Sequence, residues 1–311
     1  MSKYLVLGGS GFVGQNLLLR LKGQTNSEII STYNTRLPEI HGDNINNVQI
    51  DLTKDCLDEV FNEVDIVFHF ANKLSTFSIL QKNPNGPILE NTTLNMRVLE
   101  AAKQHKVKKF VWLSSMTGYP HFNEPAENEY FHGEPLGHYS CVGWMSRYFE
   151  KVLNMHARSD SMDILVLRPT SIYGHYDDFN LETCHALPAL INKIINRHNP
   201  IKIWGNGEDY KDWVHVNDIV NFILSYIKNF AGYTVLNIGS GETVSLNYLA
   251  KMICDIEGFN EAKIERTTDN KIIKTTNISL EKYKELSKGL KKTPLYEGIT
   301  TTINWYKESL K

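Results

Sequence analysis

A chain of 311 residues with 33 Lys+Arg against 35 Asp+Glu, 41% hydrophobic and 22% charged residues has an ordinary globular composition, enough for one large domain or two modest ones. That composition excludes a fibre, a collagen and bulk disorder, and a formal net charge of -2 with the two signs interspersed leaves no basic face for a phosphate backbone, so no nucleic-acid partner is expected. The longest apolar stretches, such as Asp65 to Ala71, fall far short of the roughly 20 residues that cross a bilayer.

The start at Met1-Ser2-Lys3-Tyr4 runs into a strand rather than a signal-type apolar core, which predicts a cytoplasmic protein with no membrane contact. Cys56, Cys141, Cys184 and Cys254 show neither a paired nor a metal-ligand spacing, so reduced thiols are expected, with no disulfide framework and no zinc.

Short apolar runs alternate with helix-length amphipathic segments, the pattern of parallel strands joined by crossover helices. In chain order the runs predict a strand over Tyr4 to Leu7, a helix over Gln15 to Lys22, a strand over Glu28 to Tyr33 and another over Asp65 to Phe70, ending at Ala71-Asn72. A helix over Asn91 to His105 follows, then a fourth strand over Lys109 to Leu113, ending at Ser114-Ser115. The helix over about Cys141 to Ala157 leads into a strand over Ile164 to Leu167 that stops at Arg168-Pro169. The fold class is therefore α/β, a Rossmann-type parallel sheet with helices on both faces over 1–174. A smaller substrate lobe spans 175–311, with returns to the main sheet near 212–240.

Gly8-Gly9-Ser10-Gly11-Phe12-Val13-Gly14 follows the first strand and opens the first helix. Glycines at 8, 11 and 14 permit a tight turn, close approach to a pyrophosphate and close helix–strand packing, while the helix N-terminus offers oriented N–H groups. A dinucleotide is the expected ligand. A carboxylate at the end of the second strand would accept from the ribose 2′-hydroxyl and repel a 2′-phosphate. Here Tyr33-Asn34-Thr35-Arg36 has no acid but offers an amide and one Arg. One cation is less than a 2′-phosphate usually receives, which tilts the reading slightly to NAD(H) over NADP(H), although Arg36 reads equally as a solvated loop charge.

Ser114-Ser115-Met116-Thr117-Gly118-Tyr119 ends a strand, and Tyr139-Ser140-Cys141-Val142-Gly143 enters a helix. With the glycine loop, these segments resemble the extended short-chain dehydrogenases/reductases, a family of nucleotide-sugar epimerases, reductases and dehydratases. The likeness runs from Lys3 to about Tyr306. The resemblance implies that Ser115 bonds the reacting sugar oxygen and that Tyr139 is the acid/base of a hydride exchange. It also implies dinucleotide contacts from Gly8, Gly11, Phe12, Val13, Gly14, Asn34, Arg36, Asp51, Leu52, Ala71 and Asn91. Asp51 reads equally as a helix cap.

One element departs from the pattern. A phenol titrates ordinarily at about 10, and the family lowers this with a Lys four residues after the Tyr, where this chain has Gly143. The sequence offers two substitutes, Arg147 a further helical turn along and the positive charge of oxidised nicotinamide.

In the substrate half the cadence is similar to the GDP-fucose synthases, across Tyr173 to Asn180, Cys184 to Leu190, Trp204 to Gly207 and Lys211 to Asp218. This implies a GDP-linked substrate, with Trp204 bordering the base and Lys211 meeting the diphosphate. Thr117, Asn180, His185 and Lys193 are further substrate candidates, and Trp213 reads as packing. Double epimerisation in that group uses a Cys where Thr117 stands, and the dehydratases use an Asp-Glu pair that is missing here. The expected activity is hydride transfer at C4 of a GDP-hexose or GDP-heptose without 3,5-epimerisation. The alternatives are a C4 epimerase and a non-catalytic dinucleotide-binding sensor or subunit. A homodimer or homotetramer is implied through the helices at 91–105 and 141–157, and no metal is expected.

Overall fold

The structure is a computed structural model that describes residues 2–24, 27–73, 76–83, 85–135, 137–159, 162–267 and 275–311. The strands in chain order are β1 Lys3–Leu7, β2 Glu28–Tyr33, β3 Ile45–Gln49, β4 Ile66–His69, β5 Lys109–Leu113, β6 Asp163–Pro169 and β7 Ser171–Tyr173. They continue with β8 Ile201–Ile203, β9 Tyr210–His215, β10 Tyr233–Ile238, β11 Thr243–Ser245, β12 Ile264–Arg266 and β13 Thr275–Thr276. The helices are α1 Phe12–Gln24, α2 Asp58–Phe61, α3 Phe77–Lys82, α4 Gly86–Gln104 and α5 Ser140–Ser159. After them come α6 Ala186–Ile195, α7 Val216–Tyr226, α8 Leu246–Glu257, α9 Glu281–Leu286 and α10 Leu295–Ser309.

A seven-stranded sheet in the order β10-β6-β5-β4-β1-β2-β3 is parallel throughout. Successive side chains point to opposite faces, and helices cover both, so the central strands are apolar through their middles, with polar residues only at their ends. Val6, Val111, Leu165 and Leu167 face a core with Leu17 and Leu18 of α1 and Ile219 and Phe222 of α7. Leu5, Leu7, Phe110, Trp112, Ile164 and Val166 face another with Val98 and Leu99 of α4 and Phe149 and Leu153 of α5.

Lys109–Leu113 is the fifth strand rather than the fourth. The strand before β4 is β3, whose sequence Ile-Asn-Asn-Val-Gln lies at the sheet edge with no fully buried position and carries too little apolar signal to count. Helix α4 starts at Gly86, before the predicted Asn91, with Pro87 in its first turn, where a missing N–H costs nothing.

Beyond β6 the chain builds short sheets, β11-β9-β13 with β7 on β9, and β12-β8. They share a separate core in which Leu187 and Ile191 of α6, Leu249 and Ile253 of α8 and Ile299 and Ile303 of α10 surround Trp213, which is buried packing. Within this half the chain returns to the main sheet twice: α7 packs on α1, and β10 pairs with β6 as the sheet's last strand. Among the described residues no helix is long and apolar enough to cross a membrane, and no three His, Cys, Asp or Glu side chains gather as a metal site.

Candidate active site

The glycine loop joins the carboxyl end of β1 to α1. Gly8 has φ of +82°, left-handed backbone that favours glycine, and a Cβ there would stand 2.7 Å from the Ala71 backbone at the end of β4. A Cβ on Gly14 would run into the Gly8 carbonyl, so α1 lies directly on the turn. The loop is tied to β2 by Gly9 N–H on the Thr32 carbonyl (2.7 Å) and Gly8 N–H on Thr32 Oγ1 (3.3 Å). Val13 is buried and Phe12 is half-buried, and the first turn of a helix such as α1 leaves N–H groups without an intrahelical acceptor. This cradle, which side chains would fill, fits a pyrophosphate.

Around it the expected residues divide by what their polar atoms are doing. Arg36 reaches back over the loop and donates from Nη2 to the Ser10 carbonyl (2.6 Å), so it is committed to the cradle's rim rather than to solvent. Asn34 is exposed and its carbonyl accepts from Gln49 Nε2 (2.9 Å). The Asp51 carboxyl is held down to about 2 by the Thr53 hydroxyl (2.6 Å) and N–H (3.0 Å), then by Lys54, which makes it the cap of its own turn, while Leu52 is core. Asn91 is buried on α4, accepting from Lys73 N–H (2.6 Å) and donating to the Lys73 carbonyl (3.0 Å). It thereby braces the segment after Ala71.

At the end of β5, Ser115 caps a 3-10 turn over Met116–Gly118. Its Oγ accepts from Thr117 N–H (3.2 Å) and lies 2.8 Å from Thr117 Oγ1. The Tyr130 hydroxyl donates to the Ser115 carbonyl (2.8 Å), and Gly118 rests on the Tyr130 ring. Tyr139 is half-buried and ends the 3-10 turn Gly137–Tyr139 that leads into α5. Two other phenols are near, but neither is an acid/base. Burial pushes Tyr119 up to about 12 and Tyr130 well above its ordinary value.

The position of the missing Lys is not vacant. A Cβ on Gly143 would lie 2.5 Å from the Thr117 carbonyl oxygen and 2.7 Å from Pro135 Cβ, so α5 abuts the hydroxyl-bearing turn and has no room for a longer residue. Arg147, the substitute the sequence offers, is anchored by the backbone around it. It is buried and spends its guanidinium on three backbone carbonyls, Gly118 (2.8 Å), Gly133 (2.6 Å) and His132 (2.8 Å). It fastens α5 to the turn.

Behind this turn lies a buried polar assembly that sequence reasoning missed. Arg168 at the end of β6 makes a two-pronged ion pair with Glu150 of α5 (2.6 and 3.0 Å), and Ser114 donates to the same carboxylate (2.5 Å). Arg168 also donates to the Tyr119 hydroxyl (3.0 Å), which donates to Asn237 of β10 (2.6 Å). Three strand ends and α5 are thus held in one geometry. A Glu on a predicted helix and an Arg at a strand end were the only sequence signals.

In the second lobe, Lys211 on β9 is half-buried, and burial lowers its ammonium against the opposing pull of Asp209. It is close enough to act electrostatically on His185, the exposed residue ahead of α6, as is Asp178. Trp204 is 55% exposed. Lys193 and Asn180 do not join this group through their polar ends. Lys193 donates to the Lys202 carbonyl (2.8 Å), and Asn180 Oδ1 accepts from Glu182 N–H (3.0 Å), which shapes its own loop. The Cys184 thiol is pushed up to about 11 by burial, so it offers no thiolate near neutral pH.

A glycine cradle at the end of β1 and a hydroxyl-bearing turn at the end of β5, on the carboxyl edge of one parallel sheet, define a dinucleotide-dependent α/β enzyme. The model of the NAD dependent epimerase/dehydratase family matches residues 4–239, and the chain belongs to that family. Over 99% of its length it is 26% identical to a probable GDP-L-fucose synthase 1 of Oryza sativa, of which it covers 93%. Over 98% it is 28% identical to a putative UDP-glucose 4-epimerase of Methanocaldococcus jannaschii, of which it covers 98%. Among solved structures, the UDP-glucuronic acid 4-epimerase of Bacillus cereus, in complex with UDP-glucuronic acid and NAD, superposes with a TM-score of 0.85. The identity is 20%, and 99% of each chain is covered.

Proposed function

We propose that this chain is an NAD(P)-dependent oxidoreductase of nucleotide sugars that exchanges hydride at sugar C4, without 3,5-epimerisation. The observation that carries it is the pairing of the Gly8–Gly14 cradle with the Ser115–Thr117 turn on one sheet edge. Bound in the cradle by Gly8, Gly11, Phe12, Val13 and Gly14, the nicotinamide nucleotide supplies the hydride acceptor or donor. Ser115 hydrogen-bonds the C4 oxygen, and Tyr139 takes its proton on oxidation and returns it on reduction.

The base is argued to be guanine, because the chain resembles GDP-fucose synthases along its full length, with Trp204 and Lys211 as base and diphosphate contacts. Thr117 in place of a thiol argues against movement of the C3 and C5 protons. The same groups used twice make a C4 epimerase, the activity named for the Methanocaldococcus relative.

A second reading, a non-catalytic dinucleotide-binding subunit, is favoured by one observation: Gly143 closes the space in which a cation would activate the phenol. The test is to incubate protein with NAD or NADP and a panel of GDP- and UDP-hexoses, following nicotinamide absorbance. Hydride exchange that disappears in Tyr139→Phe supports the enzyme. Cofactor binding with no absorbance change on any sugar, no oxidation of NADH or NADPH by a 4-ketosugar nucleotide and no interconversion of C4 epimers supports the subunit, and exchange unaffected by Tyr139→Phe refutes the assigned acid/base.

A further inference from the structure

We infer that Tyr130 is a positioning residue for the hydride exchange: its hydroxyl fixes the peptide that follows Ser115 and so sets the direction of the Ser115 side chain. This deepens the proposed nucleotide-sugar reading and rests on it. Tyr130 belongs to a 3-10 turn over Glu127–Phe131, and its side chain is fully buried against the turn that carries Ser115. A phenol has one proton, and the Ser115 carbonyl 2.8 Å away can only accept it. The other oxygen nearby, Ser114 Oγ at 3.4 Å, spends its own proton on Glu150. Burial pushes the phenol well above its ordinary value, so it keeps that proton through the neutral range.

The bond stands in for one that the turn makes poorly by itself. A 3-10 turn is closed by an N–H reaching the carbonyl three residues back, and here Gly118 N–H lies 3.5 Å from the Ser115 carbonyl. The phenol, at 2.8 Å, therefore holds the near end of the turn, as Arg147 holds the far end through the Gly118 carbonyl (2.8 Å).

The ring that carries this hydroxyl is itself fixed. The Arg168 guanidinium stands 3.5 Å from its centroid, Tyr119 meets it edge-on with centroids 4.8 Å apart, and a Cβ on Gly118 would fall 2.2 Å from its Cζ. The buried Glu150–Arg168 pair thus reaches Ser115 through the phenol. Without the hydroxyl the Ser115 peptide is free to turn, and a displacement of about 1 Å at a reacting group costs up to about a hundredfold in rate.

The experiment is single-turnover hydride exchange, with NAD or NADP and the GDP- or UDP-hexose that the wild type accepts, because it separates two quantities. Loss of folded protein lowers the amplitude at an unchanged rate constant, whereas a misdirected Ser115 lowers the rate constant. Tyr130→Phe keeps the ring and removes only the hydroxyl. It is expected to lower the rate constant at saturating sugar by about tenfold to a hundredfold, with half-saturation within about twofold of wild type. Gly118→Ala, which drives the ring off the carbonyl, is expected to do the same, and the double variant to lose no more than the worse single one, since both break the same bond. Should Tyr130→Phe fail to fold, Gly118→Ala decides by the same reading. A variant rate constant equal to wild type, a loss confined to amplitude, or losses that multiply in the double variant each overturn the inference and leave the proposed activity standing. A wild type that exchanges no hydride with any of these sugars refutes the proposed activity and the inference with it.

Discussion

Replacing Gly143 by Ala tests whether α5 has closed onto the hydroxyl turn or has merely lost a lysine. In an open helix, Gly→Ala stabilises by about 1 kcal/mol, because Ala has less backbone entropy to lose. Here the added methyl would lie 2.5 Å from a carbonyl oxygen and 2.7 Å from a proline carbon, both well inside contact distance. Overpacking of that kind costs about 1–3 kcal/mol, so the net effect is a loss of about 1–2 kcal/mol at the larger costs. For 311 residues the unfolding entropy is about 0.65 kcal/mol per degree, and the thermal midpoint falls by about 2–3 °C where the open-helix case raises it by about 1–2 °C. The sign decides. Scanning calorimetry reads it, and hydride exchange, displaced through the Thr117 carbonyl, is expected to drop about tenfold or more. Gly143→Lys should lose still more stability and regain no activity. If the lysine variant is as stable as wild type and turns over faster, the closed-helix reasoning is wrong.

Glu150→Ala leaves Arg168 as a buried unpaired charge, and the cost of about 3–5 kcal/mol should lower the thermal midpoint by about 5–8 °C; a change under one degree would mean that the ion pair does not hold the strand ends together. Asp177 is pushed up to about 8 by burial and has one carboxylate oxygen without a partner. The sign follows from its raised folded value: wild-type stability attributable to this group is intact below the ordinary carboxylate range and is lost as pH rises from about 4 through 8. Asp177→Asn should flatten that slope in midpoints measured across the interval, and parallel slopes would refute the assignment. Tyr148 of α5 lines a shallow groove with Thr92, Asn95 and Met96 of α4, Leu89 of α4 and Trp144 and Met155 of α5 are exposed as well, and we propose that these two helices form a homodimer face. Sedimentation velocity should show a wild-type dimer and a Tyr148→Glu monomer, and a wild type that stays monomeric at high concentration sinks that expectation.

The sheet was legible where burial is two-sided. Leu5 to Leu7, Phe110 to Leu113 and Ile164 to Leu167 have no polar position because both faces are covered, and each is a strand of the predicted kind. The edge strand β3 was not, because one-sided solvent lets Asn46, Asn47 and Gln49 into it. The cradle was legible because Gly8 and Gly14 answer local demands that only glycine meets, a positive φ and a backbone-to-backbone approach. The pairing of Glu150 with Arg168 was not, because nothing local ties a helix residue to the end of the following strand.

Gly143 was legible as a departure and illegible as a cause. In sequence it is the loss of a cation, whereas in space it is what lets α5 approach the turn. Arg147 stands one helical turn further along, and its 2.8 Å bond to the Gly118 carbonyl requires that approach. A helix that moved outward to admit a side chain at 143 would stretch this bond and leave a buried guanidinium short of an acceptor, at a cost comparable with the clash it relieves. The two positions are therefore coupled, and Gly143→Ala combined with Arg147→Met should destabilise by less than the sum of the single variants. Additive losses, measured by a denaturant double-mutant cycle, would separate the glycine from the arginine and leave the closed helix without its second support.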